Sequence, residues 1–452
     1  MSDNRPEAVH DRDLAQLPKA FVDRLAPSFS RFLRIESAAG AILLLFAAVA
    51  LWLSNSWWSS AFLDAWNVLI GVRIGSLEYG RSLKDWINDG LMTLFFFLVA
   101  LELKRQLALG ELRKPRVAAL SIVGAIGGMV VPAALYLALQ WGLPGQNGWG
   151  TVMATDTALV VACLALLKNR VPPSLRVFML SLAIVDDIGA ILVVAIGYSH
   201  ELNWAMLAGG ALCIAAVRVL AMAGFRSFAL YFVAGSLAWL TIDASGIHAT
   251  ITGVILGLMA PARRWVSDER LYAILQRVVA HPAEDLSSGT TQDRNSLRLA
   301  EVAARETLSP LERLEMGLHP WVAFAVMPLF AFANAGLPLS WDDFAQPLTA
   351  AVFVGFAIGK PIGVLAFTWV AVRAGLAVRA PDLGWGQIAG GSILAGMGFT
   401  MALFIADLAF APPLIGSAKL GIFLASIFSA VVGLVILSRA SPQGFTPPSR
   451  RG

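Results

Sequence analysis

The chain has 452 residues, 57% of them apolar and 14% charged, against roughly 45–50% apolar and about 25% charged in soluble domains. With 14 Trp, 25 Phe and a mean hydropathy of +0.70, it carries more apolar surface than its charged residues can screen from water. Lipid is the expected solvent, and disordered, collagen-like and disulfide-framework classes are excluded. The net charge of +4 gives no support for nucleic acid as a partner, because no basic strip interleaved with aromatics occurs. Cys163 and Cys213 both fall in apolar segments, where they read as small buried hydrophobes rather than a disulfide or metal pair.

Residues 1–36 are polar and contain Pro6, Pro18 and Pro27; Arg31 and Arg34 then lead into an apolar stretch at 37–53. The small residues Ala47, Ala48 and Ala50 mimic a signal-peptide cleavage site. The charged segment before them is too long for a usual n-region, so an uncleaved first helix is expected. A membrane helix needs about 20 mostly apolar residues. Further segments of that kind lie at 86–103, 117–140, 151–167, 175–198, 203–221, 227–242, 246–260, 320–337, 348–373, 386–411 and 416–437, which makes twelve. The expected organisation is a cytoplasmic tail (1–36), a transmembrane domain (37–438) holding a cytoplasmic loop (261–318), and a cytoplasmic tail (439–452). That loop reads as a solvated connector, with a regulatory role as the alternative.

Positive charge tests the count, because cytoplasmic loops collect Lys and Arg. Of the 34 Lys and Arg, 29 fall in the first tail or around the loops after even-numbered segments. Those after odd-numbered segments hold only Arg73, Arg81 and Lys84. Both termini are therefore expected in the cytoplasm. Two cations remain: Lys419, at the mouth of the twelfth segment, and Lys360, well inside the tenth.

The fifth segment sets Asp186 and Asp187 side by side in an apolar run, each costing roughly 2.5–3.5 kcal/mol to insert even on a lenient scale. Helix neighbours point about 100° apart, so both reach one wet cavity only if it covers a broad face. One of the acids can instead be a buried partner of Lys360 that fixes packing, but a single salt bridge accounts for only one of the two. The fourth segment carries Thr155-Asp156-Thr157; hydroxyls flanking an acid suit a break in a helix, where freed backbone groups need partners. The eleventh carries Gly396-Met397-Gly398, a second interruption. Interrupted segments at matching positions of two halves point to a transporter site at the midplane. With segments 3–5 and 10–12 as triplets, the interrupted member is the middle one in each, and the odd offset inverts the second triplet. The expected fold is all-α and polytopic, with twelve helices, inverted-topology repeats and interrupted helices 4 and 11. Gly355, Gly359 and Gly363 flank Lys360-Pro361 and let a neighbouring backbone approach. Lys360 then faces Asp186, Asp187 or the negative end of a broken helix. The pairs Gly124/Gly128 and Gly253/Gly257 read as packing seams.

Carboxylates in a partly hydrated, low-dielectric pocket suit a small hard cation such as Na+ or Li+. A free aspartate, with a pKa of about 3.9, is almost wholly ionised at neutral pH. Burial and a like-charged neighbour each favour a carboxylate's protonated form, which brings H+ and Na+ into competition. A site that holds either ion, and opens to one side at a time, exchanges them by mass action. Asp186 and Asp187 would titrate as a coupled unit.

Several strings resemble the NhaA-type Na+/H+ antiporters: Leu101-Glu102-Leu103-Lys104-Arg105, Ala154-Thr155-Asp156, Val185-Asp186-Asp187-Ile188-Gly189, Gly246-Ile247-His248-Ala249-Thr250, Leu318-His319-Pro320-Trp321, Ala333-Asn334-Ala335-Gly336 and Gly359-Lys360-Pro361-Ile362-Gly363. The resemblance runs in order from about residue 30 to 438, and this family is itself one in which interrupted helices mark the site. It implies a bacterial inner-membrane antiporter that exports Na+ or Li+ against H+ uptake, electrogenically, by alternating access and under pH control. No cofactor is implied, and a homodimer is left open. Carried over by position, Asp187 is the main ion-binding carboxylate and Asp186 the second titrating acid, paired with Lys360. Asp156 and Thr155 sit at the helix crossing. Glu102, Arg105, Glu315 and His319 resemble a cytoplasmic cluster linked to pH activation. Gln106 and Met316 stand where family members can carry a further acid and a further histidine.

His248 tempts a pH-sensor reading, although a lone histidine near a helix end is more often a hydrogen-bonded structural residue. The alternatives from the residues alone are proton-coupled transport of another solute, a passive cation channel, and an intramembrane aspartyl protease. The protease needs aspartates on two helices, one in a Gly-x-Gly-Asp string, which this sequence lacks.

Overall fold

The computed structural model describes residues 36–440 apart from 75–76, 110–114, 168–169, 199–201, 224–227, 339 and most of 263–307. The expected tails, except for a few residues, and most of the 261–318 loop lie outside the described residues.

The first helix, α1 (Glu36–Ser54), turns through 119° into the short α2 (Ser59–Trp66). Two strands follow, β1 (Leu69–Ile74) and β2 (Leu77–Ser82), paired antiparallel from Leu69↔Ser82 to Ile74↔Leu77. This hairpin corrects the all-α expectation. Its stretch is too polar for a span, yet Ile70, Val72, Ile74 and Tyr79 are residue types that favour extended chain. The rest is helical: α3 (Leu83–Ala108), α4 (Pro115–Gln140), a 3-10 helix (Gln146–Val152), α5 (Thr157–Leu166), α6 (Pro173–Gly197), α7 (Trp204–Met222), α8 (Phe228–Asp243) and α9 (Thr250–Met259). Then come α10 (Pro310–Asn334), the short α11 (Trp341–Ala345), α12 (Pro347–Arg373), α13 (Trp385–Leu394), α14 (Phe399–Ala409) and α15 (Pro412–Arg439).

Among the described residues eight helices are long and apolar enough to cross a membrane, taking Gln146–Leu166 as one; the bent pairs α1–α2 and α13–α14 raise the number to ten. The helices α8 and α9 are apolar but shorter. Trp204, Leu212, Val219 and Met222 of α7 are exposed, whereas Asp156, Asp186, Asp187, Lys360 and Lys419 are buried. Apolar side chains outside and charges inside is the arrangement lipid imposes, and the chain is a multi-pass membrane protein.

Small residues set how closely the helices pack. A Cβ on Gly127 of α4 would stand 2.3 Å from the carbonyl of Gly363 in α12, and one on Gly359 would stand 2.8 Å from Pro132 Cα. The glycine face around Lys360 therefore brings two backbones into contact, as expected. The two expected seams are also tight, with Gly128 against the Val364 side chain and Gly253 against the Thr93 carbonyl. Three π-helical turns interrupt the long helices, Trp86–Leu91 in α3, Val322–Val326 in α10 and Gly355–Gly359 in α12. The last ends directly before Lys360. Helix α15 begins at Pro412, earlier than the apolar pattern suggests, because Pro at the first helical position starts a helix at no hydrogen-bond cost. Lys419 is thereby two turns inside the helix and buried, not at its mouth.

Candidate ion-binding site

Both expected interruptions are present, and they touch. The 3-10 helix ends at Val152, residues 154–156 are non-helical, and α5 starts at Thr157. The second break, 395–398, lies between α13 and α14, which are bent by 45°. The Asp156 N–H donates to the Met397 carbonyl at 2.7 Å, joining the two. Asp156 Oδ1 accepts from Leu159 N (3.1 Å) as the N-cap of α5, and Oδ2 accepts from Thr400 N (3.0 Å) and Thr400 Oγ1 (2.5 Å) in the first turn of α14. A helix N-terminus carries roughly half a positive charge, so one carboxylate balances the two ends.

The negative ends are met in turn. Lys360 Nζ donates to the Met153 carbonyl, where the 3-10 helix ends. Thr155 Oγ1 contacts the Ala395 carbonyl (3.1 Å), at the end of α13. Three side chains thus stand against four helix ends at the crossing, with the one Thr155 hydroxyl proton within reach of both the Ala395 carbonyl and Asp186; such partners are how polar backbone persists in a dry interior.

Helix α6 delivers Asp186 and Asp187 beside this crossing. Asp186 Oδ2 pairs with Lys360 Nζ at 2.9 Å and accepts from Thr155 Oγ1 at 2.6 Å. Of the partners expected for Lys360, the structure therefore brings Asp186 and a helix C-terminus. Asp187 Oδ2 accepts from Thr157 Oγ1 at 3.4 Å. The Oδ1 atoms of both Asp186 and Asp187 are buried without a hydrogen-bond partner. Buried acceptors are rarely left in that condition, and it marks a place for an ion or proton. Among the described residues no three His, Cys, Asp or Glu side chains gather as a metal centre, and the oxygens of Asp156 are turned to the helix ends. The free capacity belongs to Asp186 and Asp187, with hydroxyls and backbone carbonyls around them; such hard oxygen donors fit Na+ or Li+.

At the far end of α3, Arg105 Nε pairs with Glu315 Oε2 of α10 at 2.9 Å, and Arg105 Nη2 lies 3.9 Å from Glu102 Oε1. His319 is one turn on from Glu315 in α10. The structure thus brings Glu102, Arg105 and Glu315 together, with His319 on the adjoining turn. His248 Nδ1 lies 3.0 Å from Thr250 Oγ1 and Nε2 lies 3.5 Å from Asp89, a position tied into polar neighbours.

Sequence reasoning missed several participants. Thr157 was noted at its break but not as a donor to Asp187, and Thr400 was not seen as a donor to Asp156; a hydroxyl in the first turn after each break was the available signal. Asp407 was missed as well, although a carboxylate in an apolar span is the signal that exposed Asp186.

The fold and site define a class: a polytopic membrane protein with a buried ionic site where two broken helices cross. The profile of the Na+/H+ antiporter 1 family matches residues 30–437. The chain is 57% identical over 437 residues to Na+/H+ antiporter NhaA 3 of Acidiphilium cryptum (97% of this chain, 96% of the relative). It is 57% identical over 438 residues to the NhaA antiporter of Rhizobium meliloti (97% and 99%), and 52% identical over 425 residues to NhaA 2 of Vibrio vulnificus (94% and 95%). The chain belongs to the Na+/H+ antiporter 1 family, a family of transporters and not of enzymes, so the protease alternative falls.

Proposed function

We propose that this protein exchanges Na+ for H+ across a bacterial inner membrane, with Asp187 and Asp186 as the site that holds one ion or the other. The observation that carries the reading is the pair of buried carboxylate oxygens without partners, one on each acid. A Na+ or Li+ ion seated there displaces the protons, and protons arriving from the other side displace the cation. Lys360, tied to Asp186 and the Met153 carbonyl, is the counter-charge that alters its contacts when Asp186 takes up a proton. Asp156 and Thr155 hold the crossing in register. Exchange of more than one proton per Na+ makes the cycle electrogenic, and each net charge moved is worth about 2.3 kcal/mol per 100 mV.

Twelve crossings are proposed: the eight long helices, the two bent pairs, and the shorter α8 and α9. Charge alternation supports a cytoplasmic location for both termini, for the tails flanking the 37–438 domain and for the 261–318 loop within it. The inverted repeats are α4, Gln146–Leu166 and α6 against α12, α13–α14 and α15. Their broken middle members meet at Asp156, which supports the pairing. The Glu102, Arg105, Glu315 and His319 cluster then lies at the cytoplasmic end and supplies pH control, by positions that match the family. In proteoliposomes, an imposed Na+ gradient is expected to drive proton movement, and Asp187→Asn to abolish it. Undiminished exchange in that variant would remove Asp187 from the central role.

A further inference from the structure

Opposite the Glu102–Glu315 end, a cavity of about 340 Å³ opens among α3, α14 and the segment after α8, with Lys84, Asp89, His248, Phe404 and Asp407 on its wall. Helix α14 connects it to the crossing. Thr400, at one end, holds Asp156; Asp407, seven residues on and so about 10 Å away along the axis, lies at the cavity. Phe404 sits between them, 1% exposed, with its ring 5.8 Å from Phe96, 6.3 Å from Phe330 and 5.3 Å from His248. An apolar plug therefore separates the cavity from the site.

Asp407 is held by two cations from two other helices. Lys84 Nζ, in the first turn of α3, is 3.1 Å from Oδ2, and Lys419 Nζ, in α15, is 3.4 Å from Oδ1. Lys419 also donates to the Asn334 carbonyl at the end of α10 (2.8 Å), and Asn334 donates to Asn88 of α3 (2.6 Å). One carboxylate on a broken helix thus fastens α14 to α3 and α15 and, through Lys419, to α10.

We propose that Asp407, clamped by Lys84 and Lys419, is a latch that holds the cavity-side route to Asp186 and Asp187 shut, with Phe404 as the plug it keeps in place. Lys419 is buried, Asp407 nearly so and Lys84 28% exposed, and an ion group of this kind need bring no stability, since buried ones can often be replaced by apolar side chains without loss. A latch explains their retention. Across the rest of the mouth charges of both signs are paired, Arg81 with Asp89 and Asp243 beside Asp85, so the route is shut by the clamp and the plug and not by net charge. Opening requires α14 to tilt about the 395–398 break, a motion that parts Asp407 from both lysines and moves Phe404. The other end of the same helix carries the Asp156 contact, so site and latch share one moving part. This inference rests on the proposed exchange site being at the crossing.

The test uses the full-length protein in sealed vesicles, with Cys163 and Cys213 replaced by Ser and a single reporter, Met401→Cys, on the stripe of α14 below Phe404. A membrane-impermeant maleimide is applied from the cavity side. Asp407→Asn is expected to raise the labelling rate by about tenfold or more, and Asp407→Glu to leave it near the parent value. Asp407→Asn/Lys419→Gln removes one acid and one base together, leaves only the part-exposed Lys84 without its carboxylate, and is expected to label as fast as Asp407→Asn. Labelling at the parent rate in both Asn variants would overturn the latch. So would failure of both to fold, since the triad would then be a structural clamp. Proton release on adding Na+ to the parent is read separately; if it is absent, the exchange site fails while the labelling still decides the latch.

Discussion

Two ionic groups among the described residues, one at the crossing and one at the cavity, differ in the partners that their carboxylates find. At the crossing, the three carboxylates Asp156, Asp186 and Asp187 face one ammonium, Lys360, and two oxygens remain without hydrogen-bond partners. At the cavity, one carboxylate, Asp407, faces two ammoniums, Lys84 and Lys419. The same kinds of side chain therefore do different work in a fully buried crossing and at the wall of a cavity. Acids that outnumber their cations leave room for a further cation, whereas an acid held by two lysines has its charge met and ties helices together. The difference teaches that a buried charge in a membrane protein has to be judged by what its partners leave over.

The comparison can be broken at its strongest point. Removing Lys360 as Lys360→Met leaves Asp186 buried and unpaired, and is expected to destabilise the protein by about 3–5 kcal/mol. Thermal unfolding in detergent reads the loss, and Asp186→Leu/Lys360→Met should restore most of it. If the single variant melts with the parent, the Asp186–Lys360 pair is not the counter-charge claimed for it.

A smaller effect is expected where no charge is involved. Gly363→Ala forces a Cβ to within 2.1 Å of the Gly127 carbonyl, and overpacking of this kind costs about 1–3 kcal/mol. Because Gly363 lies on α12 one turn from Lys360, the variant should lower exchange along with the melting temperature. A drop in melting temperature with full exchange would separate the seam from the site.

The smallest change in stability is expected at the half-exposed pair. Arg105→Gln breaks the contacts to Glu315 and Glu102 at a cost of about 1 kcal/mol or less, since such pairs are screened by solvent. Its expected signature is instead a displaced pH profile of exchange with the maximal rate preserved. An unchanged profile would detach this cluster from pH control.

The parts that were legible in the sequence are those where lipid makes a residue expensive. Asp186, Asp187 and Lys360 stood out because nothing apolar requires them, and the Gly355, Gly359 and Gly363 spacing announced a close helix contact. The breaks were visible as Thr155-Asp156-Thr157 and Gly396-Met397-Gly398. Other features depend on partners far away in the chain. The three π turns shift backbone hydrogen bonds without a distinctive composition. The Asp407 latch draws on Lys84 and Lys419, and the helix start at Pro412, ahead of the apolar run, hid how deep Lys419 lies. The hairpin at Leu69–Ser82 was too short and too polar to register against the spans around it.

Exchange at one site requires that the two ions displace each other, and this can be watched without transport. Adding Na+ to the purified full-length protein in weakly buffered detergent solution is expected to release protons, and Asp187→Asn to release none. Apparent Na+ affinity should weaken as pH falls, by about tenfold per unit for each proton displaced. Na+ binding detected by calorimetry with no release of protons, and with affinity independent of pH, would contradict the account.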